Sequence, residues 1–194
     1  MRPLSLMPVA AAVLVAGCGI NSVPASQENA KAKWAEVQNQ YQRRADLIPN
    51  LVATVKAAGA QEKAVLVEVT QARAAANSVR LSGDDLTDAA KLRGFAEAQG
   101  AVSLSLQRMQ EAYPEIRSQA RYADLMTSLE GTENRIGNAR RDYNVAVQEY
   151  NTLIRTTSGA VGAKVIHGAK PMQPFEVVTP GADKAPKVDF GNAN

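Results

Sequence analysis

One stretch of this sequence constrains the fold more than any other. From Tyr122 to Leu153, apolar or small residues recur at alternating steps of three and four, a spacing typical of a coiled-coil-like seam. The positions are Tyr122, Leu125, Leu129, Thr132, Ile136, Ala139, Tyr143, Ala146, Tyr150 and Leu153. A helix over residues 119–156 would be roughly 55 Å long at about 1.5 Å per residue. The chain must therefore fold around a long helix whose apolar side needs other helices to cover it.

The first of three further helical segments is capped by Ser26 and interrupted by Pro49. Proline lacks an amide donor and clashes with the carbonyl four residues earlier, here that of Ala45. Apolar spacing resumes directly after the proline, so we expect a bent helix that ends near Gly59. The alternative is that a new helix starts at the proline, with Asp46 as its cap.

Two more helices are predicted over about 61–79 and 85–112. The second ends at Tyr113-Pro114, because the residue before a proline avoids the helical region. No stretch of the sequence alternates like a strand between turn residues. Four amphipathic helices with short links predict an all-α fold, an antiparallel four-helix bundle with a long C-terminal helix and an extended C-terminal tail.

Changes of composition divide the chain into four parts. Residues 1–17 read as a lipoprotein signal peptide, 18–25 as a lipidated tether and 26–156 as the helical bundle. Residues 157–194 mix glycine with proline and lose apolar periodicity, so we expect a largely disordered tail. Within this tail, the run Pro174–Val178 can still dock on the bundle.

The N-terminal segment carries an anchoring signal. A short apolar stretch, too short to span a bilayer, ends in Leu14-Val15-Ala16-Gly17-Cys18. This resembles a bacterial lipobox, whose cysteine is alkylated with diacylglycerol and acylated after cleavage. Several acyl chains at about 0.8 kcal/mol per buried CH₂ would anchor the protein stably in a membrane. The alternative is a free core cysteine that follows an ordinary secretory signal.

The residue after the cysteine indicates which membrane receives the anchor. In Gram-negative lipoproteins an aspartate there typically retains the protein at the inner membrane, and here the residue is Gly19. We therefore expect a lipid-anchored protein of the bacterial cell envelope, with the periplasmic face of the outer membrane favoured.

Composition makes several classes of site improbable. The net charge is +3, from 22 basic and 19 acidic residues interspersed along the chain, which does not suggest a nucleic-acid partner. The single histidine, His167, lies in the predicted tail and is read as an ordinary residue. Glu130 and Glu133 form an E-x-x-E pair, but di-iron bundles use Glu-x-x-His motifs. We therefore expect no metal, no cofactor and no catalytic residue.

Several runs of the sequence resemble the LemA family closely, in the family's order. They are Arg43–Val52, Ala72-Arg73, Ala112–Pro114, Gly131–Ile136, Ala139–Asn144 and Tyr150-Asn151. The resemblance implies a bacterial envelope protein built as a four-helix bundle, with no assigned enzymatic activity. Members often begin with a transmembrane helix, where this sequence has the lipobox. The family pattern often ends in a Pro-Phe-Phe-like segment, of which Pro174-Phe175 is present here.

The two longest of these runs predict an internal polar network. One surrounds Pro49 and the other lies early in the last helix, so we expect them to face each other. The predicted members are Arg44, Asp46, Asn50, Glu133, Asn134 and Arg140. Carbonyls freed by the proline would find donors there, and the carboxylates would pair with the arginines. The network is expected to be structural first.

Asn144 and Asn151 lie seven positions apart, and each follows a tyrosine. One interpretation is interhelical hydrogen bonding that fixes the register of the bundle. The other is a polar groove for a partner.

Two hypotheses about function stay open at this stage. In the first, the protein is an interaction or scaffold module of the envelope, anchored through Cys18, with an envelope protein as its partner. In the second, it is an enzyme or small-molecule binder with a polar site between helices, built from Asp46, Glu133 and the arginines. A dry polar pocket would favour the second, and an exposed apolar groove the first.

Overall fold

The structure, a computed structural model, describes residues 22–59, 63–156 and 168–177. These residues form four α-helices and two short 3₁₀ turns, and none of them lies in a β-strand. The helices are α1 Ser22–Ala57, α2 Lys63–Ser78, α3 Ala89–Ala112 and α4 Ala120–Arg155, with the turns at Asp84–Thr87 and Pro114–Ser118. The prediction of an all-α helical bundle is confirmed.

The helices pair in an antiparallel arrangement. α1 packs along α4, where ion pairs join Lys33 to Asp142 at 3.3 Å and Arg44 to Glu133 at 2.8 Å. Because the residue numbers increase along α1 while those of the partners decrease along α4, the two helices run in opposite directions. α2 packs along α3 and also contacts α1. By contrast, α3 and α4 hardly contact each other. Among the described residues, the third and fourth helices are therefore separated by an open seam.

Two apolar clusters fill the interior, one above the other along the bundle. The upper cluster contains Trp34, Val37, Tyr41, Phe95, Tyr143 and Tyr150, and the lower contains Ile48, Leu51, Leu66, Leu106, Met109 and Leu129, among others. The residues at the boundary are polar: Arg44, Gln99, Ser103 and Glu133. We call these four the polar layer.

α1 begins at Ser22, ahead of the predicted cap at Ser26, and Val23 is already buried in the upper cluster. The helix continues through Pro49 and ends at Ala57, before Gly59, whose φ of 86° glycine adopts without strain. The prediction that one helix continues past Pro49 is confirmed, and Asp46 does not cap a new helix. The predicted signal peptide and Cys18 lie outside the described residues.

A donor from α2 satisfies the carbonyl that Pro49 leaves without its helical partner. Arg73 Nε donates to the carbonyl oxygen of Ala45 at 2.7 Å. The sequence indicated that this carbonyl needs a donor, but the donors expected were Arg44, Asn50, Asn134 and Arg140. The arginine that supplies it belongs to the Ala72-Arg73 run, so this motif and the proline motif form one structural unit.

We therefore predict that Arg73→Ala lowers the free energy of unfolding by about 1–2 kcal/mol, because the half-buried Ala45 carbonyl loses the donor that Arg73 supplies. In a Pro49→Ala background the restored amide of residue 49 can bond to that carbonyl. The same Arg73→Ala change should then cost about 1 kcal/mol less. Urea midpoints of the two single variants and the double variant measure this coupling, and simple additivity would contradict it.

Candidate functional site

Arg44 is the central residue of the polar layer, and its side chain is only 2% exposed. Nη1 donates to Ser103 Oγ and to Glu133 Oε1, each at 2.8 Å. Nη2 donates to the carbonyl oxygen of Gln99 at 3.0 Å and to its side-chain oxygen at 2.7 Å. The guanidinium also lies 5.0 Å from the centre of the Tyr41 ring. One side chain thus ties α1 to both α3 and α4, where those two helices hardly touch.

The structure assembles only part of the network predicted from the sequence. Arg44 and Glu133 meet, whereas Asp46, Asn50 and Asn134 are exposed. The reason is helical phase, because residues one or two apart on a helix do not face the same way. Asp46 lies two residues after the buried arginine and accepts a hydrogen bond from Gln42 on the surface instead.

The corrected position of Asp46 reverses the expected effect of its removal. We predict that Asp46→Ala changes the free energy of unfolding by no more than about 0.5 kcal/mol, as surface substitutions usually do. The internal network would have required a loss of about 1–3 kcal/mol. Chemical denaturation of wild type and variant decides between them, and a loss above 1 kcal/mol would show that the exposed position is wrong.

The open seam between α3 and α4 is filled in its upper half by the chain itself. Residues 168–177, which we call the C-terminal segment, lie there without helix or strand structure. Met172 and Phe175 are buried in the upper cluster, at 2% and 4% exposure. The amide of Gln173 donates to the carbonyl of Leu86 at 2.8 Å. The rest of the predicted tail lies outside the described residues, as does His167.

Two asparagines of α4 hold the main chain of this segment. Asn144 accepts a hydrogen bond from the Phe175 amide at 2.7 Å and donates to the carbonyl of the same residue at 3.0 Å. Asn151 forms the same pair of bonds with Met172, at 2.9 and 2.8 Å. Each asparagine thus uses its donor and its acceptor on a single residue. These side chains bind the C-terminal segment rather than a neighbouring helix.

The tyrosines that precede the asparagines add two more bonds. Tyr143 Oη donates to the Gln173 carbonyl at 2.9 Å, and Tyr150 Oη to the Lys170 carbonyl at 3.2 Å. Burial raises the pKa of both phenols above the ordinary value, so they remain protonated donors at physiological pH. The side chains of the Tyr-Asn repeat therefore all form hydrogen bonds to the main chain of the C-terminal segment. Its seven-residue spacing was visible in the sequence, but its partner was not.

Phe175 completes an aromatic cluster. Its ring centre lies 5.9 Å from that of Trp34 and 6.2 Å from that of Phe95. Arg140, predicted as a member of the polar network, instead places its guanidinium 5.0 Å from the Phe175 ring. The Pro174-Phe175 pair thus docks on the bundle, which the sequence analysis had left as a possibility.

The lower half of the same seam is an open groove of about 770 Å³. Its floor is apolar and comes from Leu106, Tyr122, Met126 and Leu129, while Gln107, Gln110, Thr127 and Glu130 are among the polar residues along its sides. The Tyr122 hydroxyl is buried there without a hydrogen-bond partner among the described residues. Ser103 and Glu133 of the polar layer close the upper end. We call this space the open groove.

Within the three described ranges, no group of three or more histidine, cysteine, aspartate or glutamate side chains is placed to hold a metal ion. None of the helices described is both long enough and apolar enough to cross a bilayer. The polar site imagined between Asp46, Glu133 and the arginines is not assembled, because Asp46 faces solvent.

Comparison with known proteins places these features in context. A protein-family sequence model described as "LemA family" matches residues 33–190, a range that includes the polar layer and the C-terminal segment. "Magnetosome protein MamQ 1" and "Magnetosome protein MamQ 2" of Paramagnetospirillum magneticum are each 28% identical to the chain over 170 residues. The alignment covers 78% of this chain and 62% of each relative, so the chain spans less than two thirds of their length.

Proposed function

Since the chain belongs to the LemA family, as its motifs predicted, we propose that it is a lipid-anchored interaction module of the bacterial cell envelope. The open groove between α3 and α4 is the observation that carries this proposal, because it presents an apolar floor to solvent. Contiguous exposed apolar surface of this kind marks sites of interaction with other molecules.

The walls of the groove are held in fixed positions. Arg44 bonds to Ser103 on α3 and Glu133 on α4, directly at its upper end. At the lower end, Arg117 Nη2 donates to the Gln110 carbonyl at 3.1 Å. A groove whose walls are set before binding loses little ordering entropy when a partner arrives. This suits a scaffold that presents one surface to an envelope protein.

The anchor and the groove would lie at opposite ends of the bundle. Cys18 precedes the start of α1 at Ser22 by a few residues. The lower cluster begins at Ile48, about 40 Å along α1 at ~1.5 Å per residue. A bundle tethered through Cys18 would thus place the groove away from the membrane, and we propose the periplasmic face of the outer membrane as its location.

The anchor is tested by changing the lipidated residue. We predict that Cys18→Ala abolishes incorporation of a clickable palmitate analogue, since the thiol and the new N-terminus that carry the acyl chains are lost. In-gel fluorescence of labelled cells measures this, with Ser22→Ala as a control that leaves the lipobox intact. Equal labelling of wild type and Cys18→Ala would exclude the lipoprotein assignment.

The interaction is tested by photo-crosslinking in intact cells. A photoreactive amino acid at Thr127, on the side of the groove, should yield a discrete crosslinked protein. The same group at Val67, which is 51% exposed on α2 and away from the groove, is the matched control. Equal adducts from both positions, or none from Thr127, would count against an interaction at the groove.

A further inference from the structure

We propose, building on the proposed function, that the open groove binds an extended peptide segment of a partner protein. The segment would continue the line of the C-terminal segment and follow the same register. The upper half of the seam shows how such a peptide is held, and the lower half offers the same kind of surface without an occupant among the described residues.

The register of the C-terminal segment against α4 follows from two spacings of equal length, one along the helix and one along the segment. Asn144 and Asn151 are seven residues apart on α4, a rise of about 10.5 Å. The residues they bind, Phe175 and Met172, are three apart, and three residues of extended chain also span about 10 Å. Seven residues of helix therefore correspond to three residues of peptide, with the peptide antiparallel to α4. The two buried side chains of the segment, Met172 and Phe175, are thus three residues apart and both point into the bundle.

The same register leads into the open groove. On the same face of α4, the residue seven positions before Asn144 is Gly137, and the residue fourteen positions before it is Glu130, which lines the groove. Val177, the last described residue of the C-terminal segment, lines a small cavity together with Ser103 and Glu133, and both of these also line the open groove. The upper and lower halves of the seam are thus adjacent, and the open groove lies next to the last described residues of the C-terminal segment.

The floor of the open groove favours apolar side chains, and the sequence that follows the C-terminal segment does not have them at this spacing. Continuing by threes from Phe175 gives Val178, Gly181 and Lys184. If the chain kept this register, position 178 would pair with Gly137, which does not line the groove, and Gly181 and Lys184 would be the residues to meet the floor. A partner peptide with a large apolar residue at every third position fits better. Its amides can donate to the carboxylate of Glu130, which is exposed and lines the groove.

The test is selection of random 12-residue peptides displayed on phage against the full chain, followed by fluorescence anisotropy with the synthetic peptides. We expect large apolar residues at intervals of three, and an affinity that changes less than threefold when a proline replaces an intervening residue, because an extended chain tolerates proline. Ala123→Trp, an exposed substitution that fills the groove, should weaken binding at least tenfold. Ala101→Trp, equally exposed on α3 outside the groove, should change it less than twofold.

Three results would overturn the proposal. Peptides with helical spacing whose binding proline abolishes would show that the groove takes a helix. Failure to select any peptide sensitive to Ala123→Trp, with thermal melts showing the variant folded, would exclude a peptide at this site. Crosslinks from a photoreactive residue at Met126 to the chain's own residues 178–194 would make the occupant internal. None of these removes the proposed function if Thr127 still captures a protein in cells.

Discussion

Replacing Arg44 by alanine is expected to lower the free energy of unfolding by about 2–4 kcal/mol. The change removes a side chain that is 2% exposed, and it leaves the buried side chain of Gln99 without its donor. It also opens a cavity between the two apolar clusters. Glu133 moderates the loss, because its carboxylate is 46% exposed and can be hydrated once its partner is gone.

Glu133→Ala should cost less than Arg44→Ala, about 1–2 kcal/mol, since the arginine keeps its bonds to Gln99 and Ser103. The double variant should fall short of the sum by about 1 kcal/mol, because the two residues share one interaction. Arg43→Ala removes a neighbouring, exposed arginine and serves as the control, with an expected change within about 0.5 kcal/mol. An Arg44→Ala midpoint equal to that of the control would contradict the buried position of Arg44.

The long last helix was the part of the fold that the sequence predicted best. Its periodicity placed it at residues 119–156, and the structure has Ala120–Arg155. This follows from a local signal, because apolar spacing along one helix does not depend on which partner covers it. The start of α1 was placed too late, because Ser26 is a good capping residue and the sequence alone does not show that Val23 is buried.

Nonlocal contacts explain what the sequence did not reveal. The need for a donor at the Ala45 carbonyl followed from Pro49 alone, but the donor lies 28 residues away on another helix. Gln99 and Ser103 were missed because a polar residue on an amphipathic helix looks the same whether it meets solvent or a buried arginine. Asp46 was assigned to the interior because it belongs to the same run as Arg44, although helical phase separates the two.

The C-terminal segment illustrates the same limit. The Tyr-Asn repeat indicated a regular polar row, and interhelical bonding was the simpler interpretation for a bundle. Its true partner is an irregular segment 20–31 residues further along the chain, with no helical apolar periodicity. The sequence offered the run Pro174–Val178 as a segment that can dock on the bundle, and the family resemblance added the Pro174-Phe175 pair.

Phe175→Ala is expected to release the C-terminal segment from the seam, at a cost of about 3–4 kcal/mol, because the ring is 4% exposed and packs on Trp34, Tyr41 and Phe95. Trp34 is the single tryptophan of the chain, so its fluorescence reports directly on this contact. Loss of the segment admits water to the indole, and we expect a red shift of its emission. Trypsin should also cut faster after Lys170.

A matched control separates docking from a general loss of stability. Val177→Ala changes the same segment at a residue that is 61% exposed, and it should leave both the emission and the cleavage rate unchanged. Asn144→Ala and Asn151→Ala each remove two main-chain bonds and should raise the cleavage rate less than Phe175→Ala does, with a cost of about 1–2 kcal/mol each. If Phe175→Ala leaves the Trp34 emission and the cleavage rate at the wild-type values, the C-terminal segment does not occupy the seam in solution, and the register it sets for the open groove has no basis.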